Sequence, residues 1–347
     1  MSTACSTRPR VRCGRWRRRR DADGHVGARV TDSEFDLIRQ YFTPATAPRD
    51  DVPLGIGDDC ALLAPPPGLQ LAVSVDTLVA GRHFLPDVDP QSLGHKALAV
   101  NLSDLAAMGA MPAWATLALT LPAADRAWLA AFMRGFTELA ALHGVQLVGG
   151  DTTRGPLSVT IQVHGFVEPG MALRRSGGRP GDRLFVSGTV GGAALALRLA
   201  QQGAPVPQTL QRRLDWPQPR IALGRLLAGS TGAAIDISDG LVADLRHVCE
   251  ASAVGARVDL ASLPLPTQVA AVCAAGDWHT ALAGGDDYEL LFALAPDVVD
   301  EVLTRCRGTG EAIQEIGVLV DEPGVRLVYP DGRIGEDGPD GFDHFKS

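Results

Sequence analysis

The chain has 347 residues, 46% apolar and 21% charged, enough for two domains with a buried core. Its formal net charge of −8 argues against broad nucleic-acid or anionic-membrane binding, which needs a basic excess. The six cysteines show no paired spacing, so neither a disulfide framework nor a zinc site is expected. No apolar run reaches the roughly 18 residues of a membrane span, and a cytoplasmic location is expected.

Residues 1–30, with the run Arg17–Arg20, lack hydrophobic periodicity and read as a disordered or mis-assigned extension outside the fold. An amphipathic helix is expected from Thr31, capped by Asp32 or Ser33, with Phe35, Ile38, Tyr41 and Phe42 on one face. LQLAVSVDTLV (69–79) reads as a buried strand, and HKALAVNLSDLAAMGA (95–110) as a helix buried on most sides. A strand at 116–122 and a helix at 127–144, closed by Gly144, come next. Strands at 146–155, running into a glycine-rich turn, and at 157–167 complete a first half.

After EPGMALR the pattern restarts: strand, glycine turn and helix over 179–200, then strand, turn and helix over 232–252. Residues 256–266 are extended, and 281–294 are a turn and a strand. The expected domains are therefore 31–168 and 169–347, and the class is α/β or α+β.

The chemical signal is a series of aspartates at strand ends and turns: Asp58 and Asp59, Asp76, Asp104, Asp151, Asp236 and Asp239, Asp286 and Asp287. Any one of them could cap a helix or close a turn. Asp104 is harder to explain in that way, because it interrupts an apolar helix, where an unpaired carboxylate costs several kcal/mol. Arg82, Lys96 and Arg154 are the nearest basic residues in sequence, so divalent cations are expected to supply the counter-charge. Oxygen-only ligands beside glycines favour Mg²⁺, and Mg²⁺ with many carboxylates favours a polyphosphate substrate. No GxxxxGK[ST] and no HRD with DFG is present. SGTVGG (187–192) is a weak anion-loop candidate.

GIGDDCALL, SVDTLVAGRHF, HKALAVNLSDLAAMGAMPAW, GGDTTRGPLSVTIQVHGF, RSGGRPGDRLFVSGTVG, AIDISDGLVADL, GGDDYEL and GFDHF together resemble bacterial thiamine-monophosphate kinases. These belong to the aminoimidazole-ribonucleotide-synthetase-like superfamily, and the likeness is collinear from about residue 32 to the C-terminus. It implies a two-domain fold whose N-terminal sheet forms a barrel across a homodimer, followed by a C-terminal α/β domain. It also implies ATP as co-substrate, thiamine monophosphate as acceptor and several Mg²⁺ ions.

By the same resemblance Asp59, Ser74, Val75 (through its carbonyl), Asp76, Asp104, Asp151, Asp236 and Asp239 correspond to metal ligands. Gly150, Asp151, Arg175 and Ser238 correspond to ATP contacts, and His83, Asp286 and Phe342 to contacts with the thiamine phosphate. Asp151, Asp236 and Arg175 would neutralise charge and position the phosphates, with no general base. Asp286 stands where the family commonly has Glu, and Val75 where Thr is frequent.

Two other readings remain beside it: another ATP-using synthetase of the superfamily, and a non-catalytic metal- or nucleotide-binding scaffold. A selenide enzyme wants a reactive Cys in a glycine-rich loop near its start, whereas Cys5 and Cys13 lie in the extension. A hydrogenase-maturation relative ends in a reactive Cys, and this chain ends in DHFKS. A scaffold would be expected to lose several of the aspartates, yet every motif keeps its own.

Overall fold

The computed structural model describes residues 34–336 together with Gly338 and Gly341. The 1–30 extension, the Thr31–Ser33 cap and Phe342 lie outside the described residues. A short helix α1 (Glu34–Leu37) continues as a wider turn over Ile38–Phe42, and Leu37 and Phe42 are buried.

The first half then runs β1 (Gln70–Val79), α2 (Pro90–Ala107), β2 (Met111–Leu121), α3 (Arg126–His143), β3 (Gln146–Arg154) and β4 (Ser158–Val167). Its sheet has the order β1-β4-β2-β3, with β2 and β3 parallel and the other pairs antiparallel.

The second half opens with β5 (Arg183–Ser187), α4 (Gly192–Gln201), α5 (Gln208–Asp215), α6 (Ile221–Leu227), β6 (Ala233–Asp236), α7 (Leu241–Ser252) and β7 (Gly255–Asp259). It closes with α8 (Thr267–Ala274), α9 (His279–Leu282), β8 (Leu290–Leu294), α10 (Val299–Thr309), β9 (Ile313–Val320), β10 (Gly324–Val328) and β11 (Ile334–Glu336). These strands form a mixed sheet of order β11-β10-β7-β9-β5-β8-β6, in which β7 and β10 are parallel.

Helix α2 organises both halves. Asp89 caps it by accepting from the Ser92 amide at 2.8 Å, and Pro90 occupies its first turn. Fifteen of its eighteen residues are buried, so it is an interior helix. Leu98, Leu102 and Leu105 share a core with Phe185, Leu290 and Phe292 of the second sheet. The opposite face of that sheet, with Leu184, Val186 and Leu291, packs on Leu241, Leu245 and Val248 of α7. β5 and β8 are buried on both faces, and for that reason read as continuous apolar runs.

Two expectations need correction. β1 is an edge strand buried on one face only: Leu71, Val73, Val75 and Val79 are exposed, while Leu78 packs inward. The apolar run marks two faces, of which the chain itself covers one. Helices α5, α6 and α8 were not anticipated, since seven or eight residues are too few to establish a helical period.

Helices α2 and α3 approach backbone to backbone at two glycines. A Cβ on Gly94 would sit 1.9 Å from the Phe132 carbonyl oxygen, and one on Gly135 would sit 1.8 Å from that of Gln91. Gly135→Ala should therefore force the helices apart and cost about 1–3 kcal/mol. Urea unfolding should show a lower midpoint with an unchanged slope; an unchanged midpoint would contradict the close approach.

Candidate active site

One turn of α2 carries Asn101, Ser103 and Asp104, and each reaches a different point of the site. The Ser74 hydroxyl on β1 donates to Asp104 Oδ2 at 2.5 Å. The Asp76 amide donates to Asn101 Oδ1 at 3.1 Å, while Asn101 Nδ2 donates to the Ala97 carbonyl at 3.0 Å. Ser103 Oγ donates to Asp236 Oδ2 at 2.7 Å, at the end of β6 in the second sheet. The alternation of β1 turns Ser74 and Asp76 towards α2, and Val75 outward. A four-residue segment thus fastens the backbone of Asp76 in one half and the carboxylate of Asp236 in the other.

Asp76, Asp104, Asp236, Ser238, Asp239, Asp286 and His83 line one cavity of about 710 Å³, a volume suited to a small-molecule ligand. Its carboxylates repel one another. Burial, then Asp104 and Asp239, push the Asp76 carboxyl up to about 6. Burial raises Asp104 as well, with Ser74 and Arg175 pulling the other way. Asp236 is raised by burial and by Asp104, against the hydrogen bond from Ser103.

The turn after β6 is shaped by Asp244, which the sequence reading passed over. Its Oδ2 accepts from the amides of Ser238 and Asp239 at 3.1 Å and of Gly240 at 3.2 Å. Burial and Asp239 still raise its carboxyl to about 7. An acid in the first turn of the helix that follows SDG was the available signal.

The three acids of GGDDYEL divide their work. Asp286 faces the cavity. Asp287 accepts from the Gly191 amide at 2.7 Å where α4 begins, and burial raises its carboxyl to about 8. Glu289 is buried, which alone would raise it, but Arg220, Ser187 and Arg213 outweigh that and hold it below its usual value. His83 lines the cavity, with Nδ1 accepting from the Val79 amide at 2.9 Å.

Six expected residues are not among those lining the cavity: Asp59, Ser74, which reaches it only through its bond to Asp104, Val75, Gly150, Asp151 and Arg175. Asp59 is exposed on a loop, its amide bonded to Asp58 Oδ1 at 2.9 Å. Val75 points outward. Gly150 and Asp151 lie on β3, at the opposite sheet edge from β1. There Asp151 shares a row with Ala118, Thr160 and Thr77 on the outer face. Gly150 has φ 147°, and a Cβ there would fall 1.8 Å from the Leu117 carbonyl oxygen, so only glycine fits. Arg175 is exposed, and its charge acts on Asp104. Among the described residues no group of three or more His, Cys, Asp or Glu is arranged so that it could hold a metal ion by itself.

Residues 57–167 match the family model described as AIR synthase related protein, N-terminal domain, and residues 179–330 match its C-terminal domain. The fold is therefore the two-domain, mixed-sheet α/β fold of AIR synthase related proteins. The chain is 52% identical over 321 residues to the thiamine-monophosphate kinase of Salmonella typhimurium, covering 90% of this chain and 98% of that protein. Thiamine-monophosphate kinase from Stenotrophomonas maltophilia is similar in structure, at 47% identity and TM-score 0.77 over 82% of this chain and 92% of that one. AaThiL complexed with AMPPCP and TMP is also similar, at 30% identity and TM-score 0.71, over 84% of this chain and 92% of that one. The chain belongs to the thiamine-monophosphate kinase family. Among the described residues no helix is long and apolar enough to cross a membrane.

The raised carboxyls set a pH dependence. Asp76, Asp244, Asp236 and Asp287 hold protons more tightly when folded than in the unfolded chain, where Asp titrates near about 4. Between about pH 4 and pH 8 the folded state therefore binds more protons, and stability falls as pH rises through that window. The depressed Glu289 acts oppositely at more acid pH. His95, His143 and His164, lowered by burial, act oppositely below about pH 6.5, where the four carboxyls outnumber them. Chemical denaturation in excess chelator should give a higher midpoint at pH 5 than at pH 8; the reverse order would contradict the carboxylate crowding.

Proposed function

We propose that this chain is an ATP- and Mg²⁺-dependent phosphotransferase that converts thiamine monophosphate to thiamine diphosphate. The observation that carries this reading is the crowding of Asp76, Asp104, Asp236 and Asp239 around one cavity, fastened by Asn101 and Ser103. The likeness to thiamine-monophosphate kinases along nearly the whole chain, and to AaThiL complexed with AMPPCP and TMP, supports the substrates.

The donor set fits Mg²⁺. The ligand atoms are hard oxygens, and the carboxyls of Asp76 and Asp236 are raised by burial and then by neighbouring carboxylates. Such a set suits an ion that keeps several waters and shares its ligation with phosphates. Asp59, Ser74, the Val75 carbonyl, Asp76, Asp104, Asp151 and Asp236 would hold such ions, with Asp239 holding a further one. When bound, the ions neutralise the facing phosphates and keep them in line.

The chain's own part is binding and orientation. Gly150, Asp151, Arg175 and Ser238 grip ATP, with Arg175 offsetting phosphate charge. Asp244 fixes the turn that presents Ser238 and Asp239. His83 and Asp286, with Phe342, contact the acceptor. The acceptor phosphate has a second pKa of about 6 and is a dianion at neutral pH, so no side chain must remove a proton from it. Asp151 and Asp236 help position the phosphates.

Residues 31–168 and 169–347 act as the two domains, which the division of the strands between two sheets supports. A second copy of the chain covers the outer face of the first sheet to form the barrel of a homodimer. The exposed Leu71, Val73, Val75 and Val79 on an edge strand support that pairing, because an uncovered apolar edge invites aggregation. Asp151 lies on the same outer face. Consumption of ATP, with the lack of a membrane-crossing helix among the described residues, supports a cytoplasmic site of action.

Purified protein with ATP, Mg²⁺ and thiamine monophosphate should yield ADP and thiamine diphosphate in equal amounts, read by chromatography of both products. Free thiamine should be a poor acceptor, since its alcohol needs a base that the site does not supply. Turnover undiminished in excess EDTA, or equal rates on thiamine and its monophosphate, would overturn the proposal.

A further inference from the structure

Lys96 enters the sequence reading only as one of a few nearby cations, yet it is one of two lysines in the chain. It lies two turns before Asp104 on α2, and its side chain is only 5% exposed. Its Nζ donates to Asp286 Oδ2 at 2.8 Å, and the Tyr288 hydroxyl donates to Asp286 Oδ1 at 2.9 Å. Both oxygens of a carboxylate on the cavity wall are therefore engaged.

The backbone at this point needs such support. Asp286 has φ 70° and Tyr288 φ 50°, conformations that side chains other than glycine rarely adopt. On one side the turn is held by main-chain bonds, from the Asp286 amide to the Ser238 carbonyl at 2.9 Å and from the Tyr288 amide to the Ile237 carbonyl at 2.8 Å. On the α2 side the hold is the Lys96 ion pair.

Lys96 also lines a second cavity of about 260 Å³, which shares His83, Phe84, Leu85 and Leu197 with the first. Asp215, at the end of α5, faces that second space and feels the same ammonium. The lysine thus connects the two cavities: it lines the second and pairs with a carboxylate on the wall of the first. For packing alone, an apolar side chain would serve as well and avoid burying a charge.

We propose that Lys96 is a positioning residue for the acceptor: it fixes the Asp286 carboxylate on the wall of the first cavity, so that acceptor binding depends on it and nucleotide binding does not. The proposal rests on the reading of Asp286 as an acceptor contact. In that role a fixed carboxylate faces the cationic thiazolium ring of thiamine monophosphate.

The test is steady-state kinetics on Lys96→Met, Lys96→Arg, Asp286→Asn and the Lys96→Met/Asp286→Asn double variant, with KM for thiamine monophosphate and for ATP measured separately. A lost hydrogen bond to a charged group is worth about tenfold or more in acceptor KM. Both Asp286→Asn and Lys96→Met should show that rise with KM for ATP nearly unchanged, and Lys96→Arg should restore part of it. The double variant should be no worse than Asp286→Asn alone, because residues acting through one another are not additive. That last comparison stands even if Lys96→Met alone fails to fold, since the double variant removes both charges of the pair. An unchanged acceptor KM in Lys96→Met, or a further rise from Asp286→Asn to the double variant, would overturn the proposal. An unchanged acceptor KM in Asp286→Asn would remove the reading of Asp286 itself, and this proposal with it.

Discussion

The site depends on one polar turn inside an apolar helix. Asn101, Ser103 and Asp104 sit within α2, where burial makes every unsatisfied polar atom costly, and each is satisfied by a different partner. Those partners are the backbone of Asp76, the carboxylate of Asp236 and the hydroxyl of Ser74. Through these few bonds α2 joins the edge strand of one sheet to the edge strand of the other. The close glycine packing of α3 behind it and the shared apolar core in front of it leave the helix little freedom.

That arrangement gathers charges that would otherwise separate. Burial raises Asp76, Asp104 and Asp236, and the neighbouring Asp104 charge adds to the rise at Asp76 and Asp236. The scaffold carboxylate of Glu289 is treated differently: it has two arginines and a serine, and is held below its usual value. On the cavity wall Asp286 is likewise paired, with Lys96, whereas Asp244 and Asp287, which hold turns through backbone amides, stay raised.

Some of this was legible in the sequence. The Gly144 cap of α3, the burial of α2 on most sides and the cost of a carboxylate at Asp104 follow from local chemistry. The functions of Asn101, Ser103 and Asp244 did not, because each bonds to residues whose nearness is set by the fold, such as Ser103 to Asp236 across 133 positions. The exposed face of β1 was misread because an apolar run looks alike whether its second face is covered by the same chain or left bare. Asp59, Ser74, Val75, Gly150, Asp151 and Arg175 were recognised by motif, while the cavity is lined by Asp76, His83, Asp104, Asp236, Ser238, Asp239 and Asp286.

The most direct test of this account is the melting temperature of the wild type and of Asp104→Asn, measured from excess chelator through rising Mg²⁺. The asparagine keeps an acceptor for Ser74 and removes one repelling charge. The variant should therefore melt no lower than the wild type in chelator, and should need far more Mg²⁺ to gain stability. A variant that melts clearly lower without cation, and then gains as much from Mg²⁺ as the wild type, would show that Asp104 serves the fold and not the metal.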